Sequence, residues 1–343
     1  MNGVIIVDKP ARWTSHDVVN RMRRILQQRS VGHLGTLDPL ATGVLPLVTG
    51  SLTRLAQFYI ASEKTYEGVI RFGFATNTYD ADGERLDEVA AYVGTAAPGC
   101  PARATDLNLE ALQKLAAEFR GIIQQVPPPF SAKKIQGVPA YKLARKQKEV
   151  TLQPVQIEVK EFSITGVEND SAHFRARVSS GTYMRSIAHE MGQRLGCGAH
   201  LASLRRTSVA EFDITQAHTI EEIETACHSE GARATASASR RTPVWGGHSC
   251  PPTSPRSGSP IEPQPSPGLE TVFIHPRQLL PQFPSVTADE PTVARIRSGR
   301  PINLPELSRA RQVKVFASQT ELLAIATRVA GTLFHPKIVF PSE

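Results

Sequence analysis

The chain has 343 residues, of which 40% are hydrophobic and 21% charged. That length can bury a proper core and suggests about two domains, and the composition is that of a soluble globular protein. It excludes a helical membrane span. The longest apolar run, Val4 to Val7, meets Asp8 and Lys9 at once, whereas a span needs roughly 18 apolar residues or more. The net charge of +7 suits a polyanionic partner.

Basic residues cluster at Arg21, Arg23, Arg24 and Arg29, then at Lys133, Lys134, Lys142, Arg145, Lys146 and Lys148. A third cluster comprises Arg295, Arg297, Arg300, Arg309, Arg311 and Lys314. These are candidates for an RNA face, although solvated helix faces give the same pattern. No signal peptide is read. Cys100, Cys197, Cys227 and Cys250 are too far apart for a Cys-x-x-Cys pair and read as free thiols in a reducing cytoplasm. No histidine spacing suggests a metal.

In chain order, Gly3 to Val7 reads as a buried strand leaving into the turn at Asp8-Lys9-Pro10. Thr14 or Ser15 caps a helix whose Val18, Val19, Met22, Ile25 and Leu26 point inward and whose arginines point out. Tyr66 to Ala75, Val155 to Ile164 and His173 to Val178 alternate as strands do. Between them Asn108 caps a helix with Leu109, Leu112, Leu115 and Phe119 inward, stopped by Gly121. A further helix runs from about Arg185 to Leu195. Strands and helices are mixed without strict alternation, which predicts an α+β fold around a mixed or antiparallel sheet. From His228 to Gly268 the chain is rich in Ser, Pro, Gly, Ala and Arg, and it reads as a flexible insertion. Gly94 to Arg103 reads as a lengthened surface loop. Short apolar stretches then return at Val313 to Phe316, Leu322 to Ala326 and Leu333 to Phe340. The expected division is 1–225, 226–270 and 271–343.

One segment stands out. From Val31 to Gly50, Asp38 is the single ionised side chain, set among glycines, threonines, aliphatics and Pro39. A carboxylate in such a setting is either paired or reactive. The residues alone fit equally well a structural Asp that caps a turn.

The run Gly32-His33-Leu34-Gly35-Thr36-Leu37-Asp38-Pro39-Leu40-Ala41-Thr42-Gly43 resembles, nearly letter for letter, the catalytic motif of the TruB-type tRNA pseudouridine synthases. Four more stretches resemble the same family in the same order. They are Gly3 to Pro10 with Thr14-Ser15, then Lys64-Thr65-Tyr66 running on to Asp80 and Asp82-Gly83. Gln125 to Lys134 with Tyr141 to Arg145 follows, and last Gly181-Thr182-Tyr183-Met184-Arg185-Ser186 with Leu195 to Leu201 and Leu204-Arg205-Arg206. The likeness covers residues 1 to about 220. It implies the pseudouridine synthase fold, a mixed, largely antiparallel sheet crossed by a catalytic cleft. The tail resembles, more weakly, the small PUA-like β-barrel that binds RNA in bacterial members.

The resemblance also implies an activity: isomerisation of one uridine in the T-loop of tRNA, at the position conventionally numbered 55. The partner would be the T-arm stem-loop, with no cofactor, no metal and no obligatory protein partner, and a monomer suffices. Asp38 matches the essential acid, as nucleophile or base. A cation must hold it ionised in a desolvated pocket, and Arg185 matches the family's partner, able to grip a carboxylate through two parallel bonds. Tyr66 would stack on the flipped base and take its C5 proton late. His33 would fill the gap left in the RNA, and Tyr183 and Leu204 would wall the uracil. Lys9, Lys64 and Lys133 would contact RNA. One departure is Ala11-Arg12-Trp13, where relatives commonly carry a glycine after the proline. Two other functions share these motifs: an RNA-folding factor whose benefit is not catalytic, and a guide-RNA-directed pseudouridylase subunit.

Overall fold

The computed structural model describes residues 2–86, 107–131, 134–135, 138–139, 152–228, 268, 271–307 and 309–341. The expected surface loop at 94–103 and nearly all of the expected insertion at 228–268 lie outside the described residues.

The chain opens with β1 (Gly3–Lys9), α1 (Ser15–Ile25), β2 (Val31–His33) and β3 (Thr42–Thr49), followed by a short helix α2 (Ala56–Tyr59) and β4 (Lys64–Phe72). Two small hairpins, β5 (Ala75–Thr76) with β6 (Arg85–Leu86) and β8 (Lys134–Ile135) with β9 (Val138–Pro139), flank α3 (Leu109–Glu118) and β7 (Gly121–Gln125). β10 (Val155–Glu168), β11 (Ser171–Val178), α4 (Met184–Leu195), β12 (Ala199–Val209) and β13 (Phe212–Asp213) come next, and residues 220–228 form α5. β14 (Phe273–Ile274) then returns to the first strand.

The large sheet runs β14-β1-β3-β12-β4-β11-β10-β7, with β2 on β3 and β13 on β12. Every pairing is antiparallel except β12 with β3, where Arg205 and Arg206 lie beside Thr42 and Gly43. The sheet is thus mixed and largely antiparallel, as expected. β1 explains itself: its continuous apolar run is buried on both sides, Ile5 and Val7 in one core, Val4 and Ile6 in another. The first core is roofed by α1, α3, α4 and α5 through residues such as Val18, Leu112, Met191 and Ile223. Each fully buried aliphatic contributes about 1.5–3 kcal/mol over its exposed state.

The helix ends follow local chemistry. Thr14 caps α1, its hydroxyl accepting the Asp17 N–H while the Asp17 carboxylate accepts the Thr14 N–H, a reciprocal capping box. Asn108 caps α3 by accepting from Glu110. Leu109, expected inward, is instead 40% exposed; at the first helical position its side chain leans back past the helix end, where there is no preceding turn to lie against.

The C-terminal unit is a five-stranded sheet ordered β15-β17-β18-β19-β16 (Ser285–Thr287, Gln312–Phe316, Leu322–Ala330, Leu333–Val339, Ile302–Asn303), with α6 (Glu290–Arg297) against it. Its Phe316, Leu322, Ile325 and Phe340 join Val4, Ile6, Val44 and Val48 in the second core, behind the large sheet. No helix among the described residues is long and apolar enough to cross a membrane.

Candidate active site

Asp38 lies in the loop from β2 to β3, and that loop is fastened from three directions. The Ser15 hydroxyl accepts the Leu37 N–H at 2.8 Å and donates to the Leu37 carbonyl at 3.1 Å. Lys9 is fully buried, and its ammonium donates to the carbonyls of Pro10, Trp13 and Pro39. Arg206, also fully buried, donates to the carbonyls of Gly35, Thr36 and Val44. The turn after Pro10 is made with Arg12 at φ +66° and its N–H on the Pro39 carbonyl at 2.8 Å.

Gly43 is obligatory here. Its φ is +98°, and an added Cβ would lie 2.2 Å from the Arg206 carbonyl oxygen. Gly43→Ala is expected to cost about 2–5 kcal/mol through strain and overlap together; a thermal melt at the native midpoint would contradict this.

Arg185 is the second residue of α4, in its first turn, where a cation opposes the helix dipole. Two acids and two carbonyls compensate. Its Nε donates to Asp38 Oδ2 at 2.8 Å, its two terminal nitrogens donate to Thr78 O and Phe130 O at 3.1 Å each, and one of them lies 3.4 Å from Asp80 Oδ2. The expected fork of two parallel bonds to Asp38 is therefore a single bond, because the other nitrogens are engaged elsewhere. The Arg185 side chain is only 5% exposed, whereas that of Asp38 is 33% exposed, so the acid reaches solvent while its partner does not. The second Asp38 oxygen takes no hydrogen bond among the described residues.

Asp38, Lys64, Tyr66, Tyr183, Arg185 and Leu204 meet around one cavity of about 280 Å³. That is near the lower end of small-ligand clefts, roughly 300–1,000 Å³, and suits one base rather than a length of strand. Burial pushes the Tyr66 phenol up, against the opposing pull of Arg206. Burial, then the Asp38 charge, raises Tyr183. Lys64, whose ammonium donates to Ser62 O at 2.6 Å, is lowered to about 8 by burial and then by Arg206.

Of the other expected site residues, Lys9 faces inward: its ammonium positions the Asp38 loop and is not presented to a ligand. Burial lowers it to about 8, with Asp38 pulling it back up. His33 does not line the cavity; its Nδ1 accepts the Gly35 N–H at 3.3 Å, and burial lowers its pKa. Lys133 lies outside the described residues.

Sequence reasoning assigned no part in the site to four residues that build it. Asp80 is nearly buried, bonded by the Thr78 hydroxyl and the Asp82 N–H, and burial raises its pKa against Thr78 and Arg185. Gln125 clamps Tyr183 by accepting its N–H at 2.8 Å and donating to its carbonyl at 3.1 Å. Ser15 and Arg206 hold the loop. All four lie in the family-like stretches, but nothing local to any of them says which partner it meets in the fold.

One turn beyond Arg185, His189 stacks on Tyr79 with ring centroids 3.7 Å apart and planes 8° from parallel. The buried His189 Nδ1 has no hydrogen-bond partner among the described residues, and burial lowers the imidazole to about 4. An unfolded histidine protonates near 6.5. Between about 6.5 and 4 the unfolded chain binds the extra proton, so stability falls as pH falls through that window. His189→Gln is expected to shrink the loss of melting temperature between pH 7 and pH 4.5. An unchanged loss would contradict it.

Residues 23–184 match the TruB family pseudouridylate synthase (N terminal domain), and residues 185–241 match the tRNA pseudouridylate synthase B C-terminal domain. A tRNA pseudouridine synthase B of Solibacter usitatus is 42% identical over 99% of this chain and 100% of its own length. That of Aquifex aeolicus is 42% identical over 65% of this chain and 73% of its own. Among solved structures, an H/ACA RNP bound to a substrate RNA containing 2′-deoxyuridine has a TM-score of 0.64 at 20% identity, covering 99% of this chain and 85% of that one. A Cbf5-Nop10-Gar1 complex has a TM-score of 0.65 at 21% identity, again over 99% and 85%. These two share the fold. With both family models matched in order and the Solibacter relative aligned end to end, the chain belongs to the TruB family of pseudouridylate synthases.

Proposed function

We propose that this chain isomerises uridine to pseudouridine at position 55 of the tRNA T-loop, acting in the cytoplasm as a monomer without guide RNA, metal or cofactor. The observation that carries the reading is the ion pair of Asp38 with buried Arg185 at a one-base cavity walled by Tyr66, Tyr183 and Leu204. A base inside a folded stem-loop is unreachable, so it is flipped out at a cost of a few kcal/mol. Leu204 and the two tyrosine rings give it apolar and stacking contacts.

The glycosidic bond from C1′ to N1 then breaks with Asp38 at the sugar or the ring, as nucleophile or base. The freed uracil turns within the cavity and rejoins C1′ through C5. Arg185 remains the counter-charge of the carboxylate throughout. Tyr66, at the wall of the cavity, receives the C5 proton.

The test is purified protein on an unmodified tRNA transcript, with pseudouridine mapped by sequence position. One modified site in the T-loop without any guide supports the reading; none, or a requirement for a guide, contradicts it. Binding is also expected to weaken steeply with salt as phosphate contacts release counterions. A flat salt response in a filter-binding titration would count against the basic clusters as the RNA face.

A further inference from the structure

Arg206 occupies the middle of the large sheet. On β12 it pairs in register with Tyr66 of β4 on one side and with Gly43 of β3 on the other. Register partners project from the same face of a sheet, so Arg206 and Tyr66 extend side by side. Gly43 has no side chain there. The guanidinium reaches the carbonyls of Gly35, Thr36 and Val44 at 3.0, 3.2 and 2.8 Å, spanning both limbs of the Asp38 loop.

Such a cation normally has an anion against it, because an isolated charge is expensive to bury. Arg206 forms no ion pair with a carboxylate among the described residues. The group beside it that can carry negative charge is the Tyr66 phenol.

We infer that Arg206 is a positioning residue for the isomerisation, holding the Asp38 loop by its carbonyls and supplying the positive charge that stabilises the Tyr66 oxygen while it takes the C5 proton. The inference rests on the isomerase reading above. In this step the C5–H bond of the re-attached uracil breaks and an O–H bond forms at the Tyr66 phenolate. The C–H electron pair becomes the C5=C6 double bond, the C6=N1 pair moves onto N1, and N1 takes a proton from water. Tyr66 returns its proton to water, so no proton is gained or lost overall. Burial makes the phenolate costly, the nearby Asp38 charge adds to that cost, and the Arg206 charge opposes both.

The experiment compares the native chain, Arg206→Gln and Arg206→Lys in single-turnover reactions. The tRNA carries uridine or 5-deuterouridine at the target, and folding is checked by thermal melt. Arg206→Gln is expected to slow turnover by about 10- to 1,000-fold, with a primary deuterium isotope effect larger than in the native chain. Arg206→Lys, which keeps the charge, should regain part of the rate. If Arg206→Gln does not fold, Arg206→Lys is read alone: a partial loss with an enlarged isotope effect supports the inference. A loss without one, or no loss, overturns it. A native chain that makes no pseudouridine overturns the isomerase reading itself, whereas an active native chain with an unaffected Arg206→Gln overturns only the role of Arg206.

Discussion

Asp38→Asn is expected to reduce single-turnover pseudouridine formation by on the order of 10⁴-fold or more, while tRNA affinity changes by less than about threefold. Asparagine keeps the shape of the side chain, and its carbonyl oxygen can still accept from Arg185 Nε. What it removes is the negative charge. The loop itself stays in place, because Ser15, Lys9 and Arg206 hold it through the backbone of Leu37, Pro39, Gly35 and Thr36 and not through the carboxylate. Asp80 remains as a counter-charge for Arg185. The substitution thus separates chemistry from binding. Turnover above about 1% of native, on the acid–base scale of 10²–10⁴ per group, would mean that another group performs the reaction. Retained cellular benefit in Asp38→Asn would favour the RNA-folding role.

The second large effect is expected at Arg185, where Arg185→Met should destabilise the fold by about 3–5 kcal/mol, the usual result of removing one partner from a buried pair. The reason lies in how much converges on this guanidinium. Without it Asp80, at 9% side-chain exposure, has no ion-pair partner among the described residues. The Thr78 and Phe130 carbonyls also lose their donors. Asp38 loses its ion-pair partner. Arg185→Lys should recover part of the stability but little of the rate, because one ammonium cannot reach four acceptors laid out for a planar fork. Thermal melts and single-turnover rates on both variants check this; a native melting temperature in Arg185→Met would contradict it.

The elements that were legible in the sequence are those whose signals are local. The doubly buried β1, the Thr14 cap, the Asn108 cap and the amphipathic face of α4 each rest on residues a few positions apart. The isolation of Asp38 among uncharged neighbours was visible for the same reason. Arg206 was not, since its meaning comes from a parallel pairing that sets it beside Gly43, more than 150 residues away in sequence. Asp80 likewise acquires its role only when α4 brings Arg185 against it. Lys9 misleads in the opposite sense, for a lysine before a proline at a strand end reads as a solvated turn. Here three carbonyls converge on its ammonium and draw it inside. The single rather than forked Asp38–Arg185 bond follows from the competing carbonyls of Thr78 and Phe130, which belong to two distant segments.

The most direct test of the central claim is the structure of this chain bound to a T-arm stem-loop, with the distance measured from the Asp38 carboxylate to the target nucleoside. The target base is predicted to lie extruded in the cavity between Tyr66 and Leu204. An Asp38 oxygen should then sit about 3–3.5 Å from the ribose or from C6 of the ring, as a near-attack arrangement requires. A base still stacked in the RNA, or an Asp38 carboxylate turned away and remote from the nucleoside, would contradict the account.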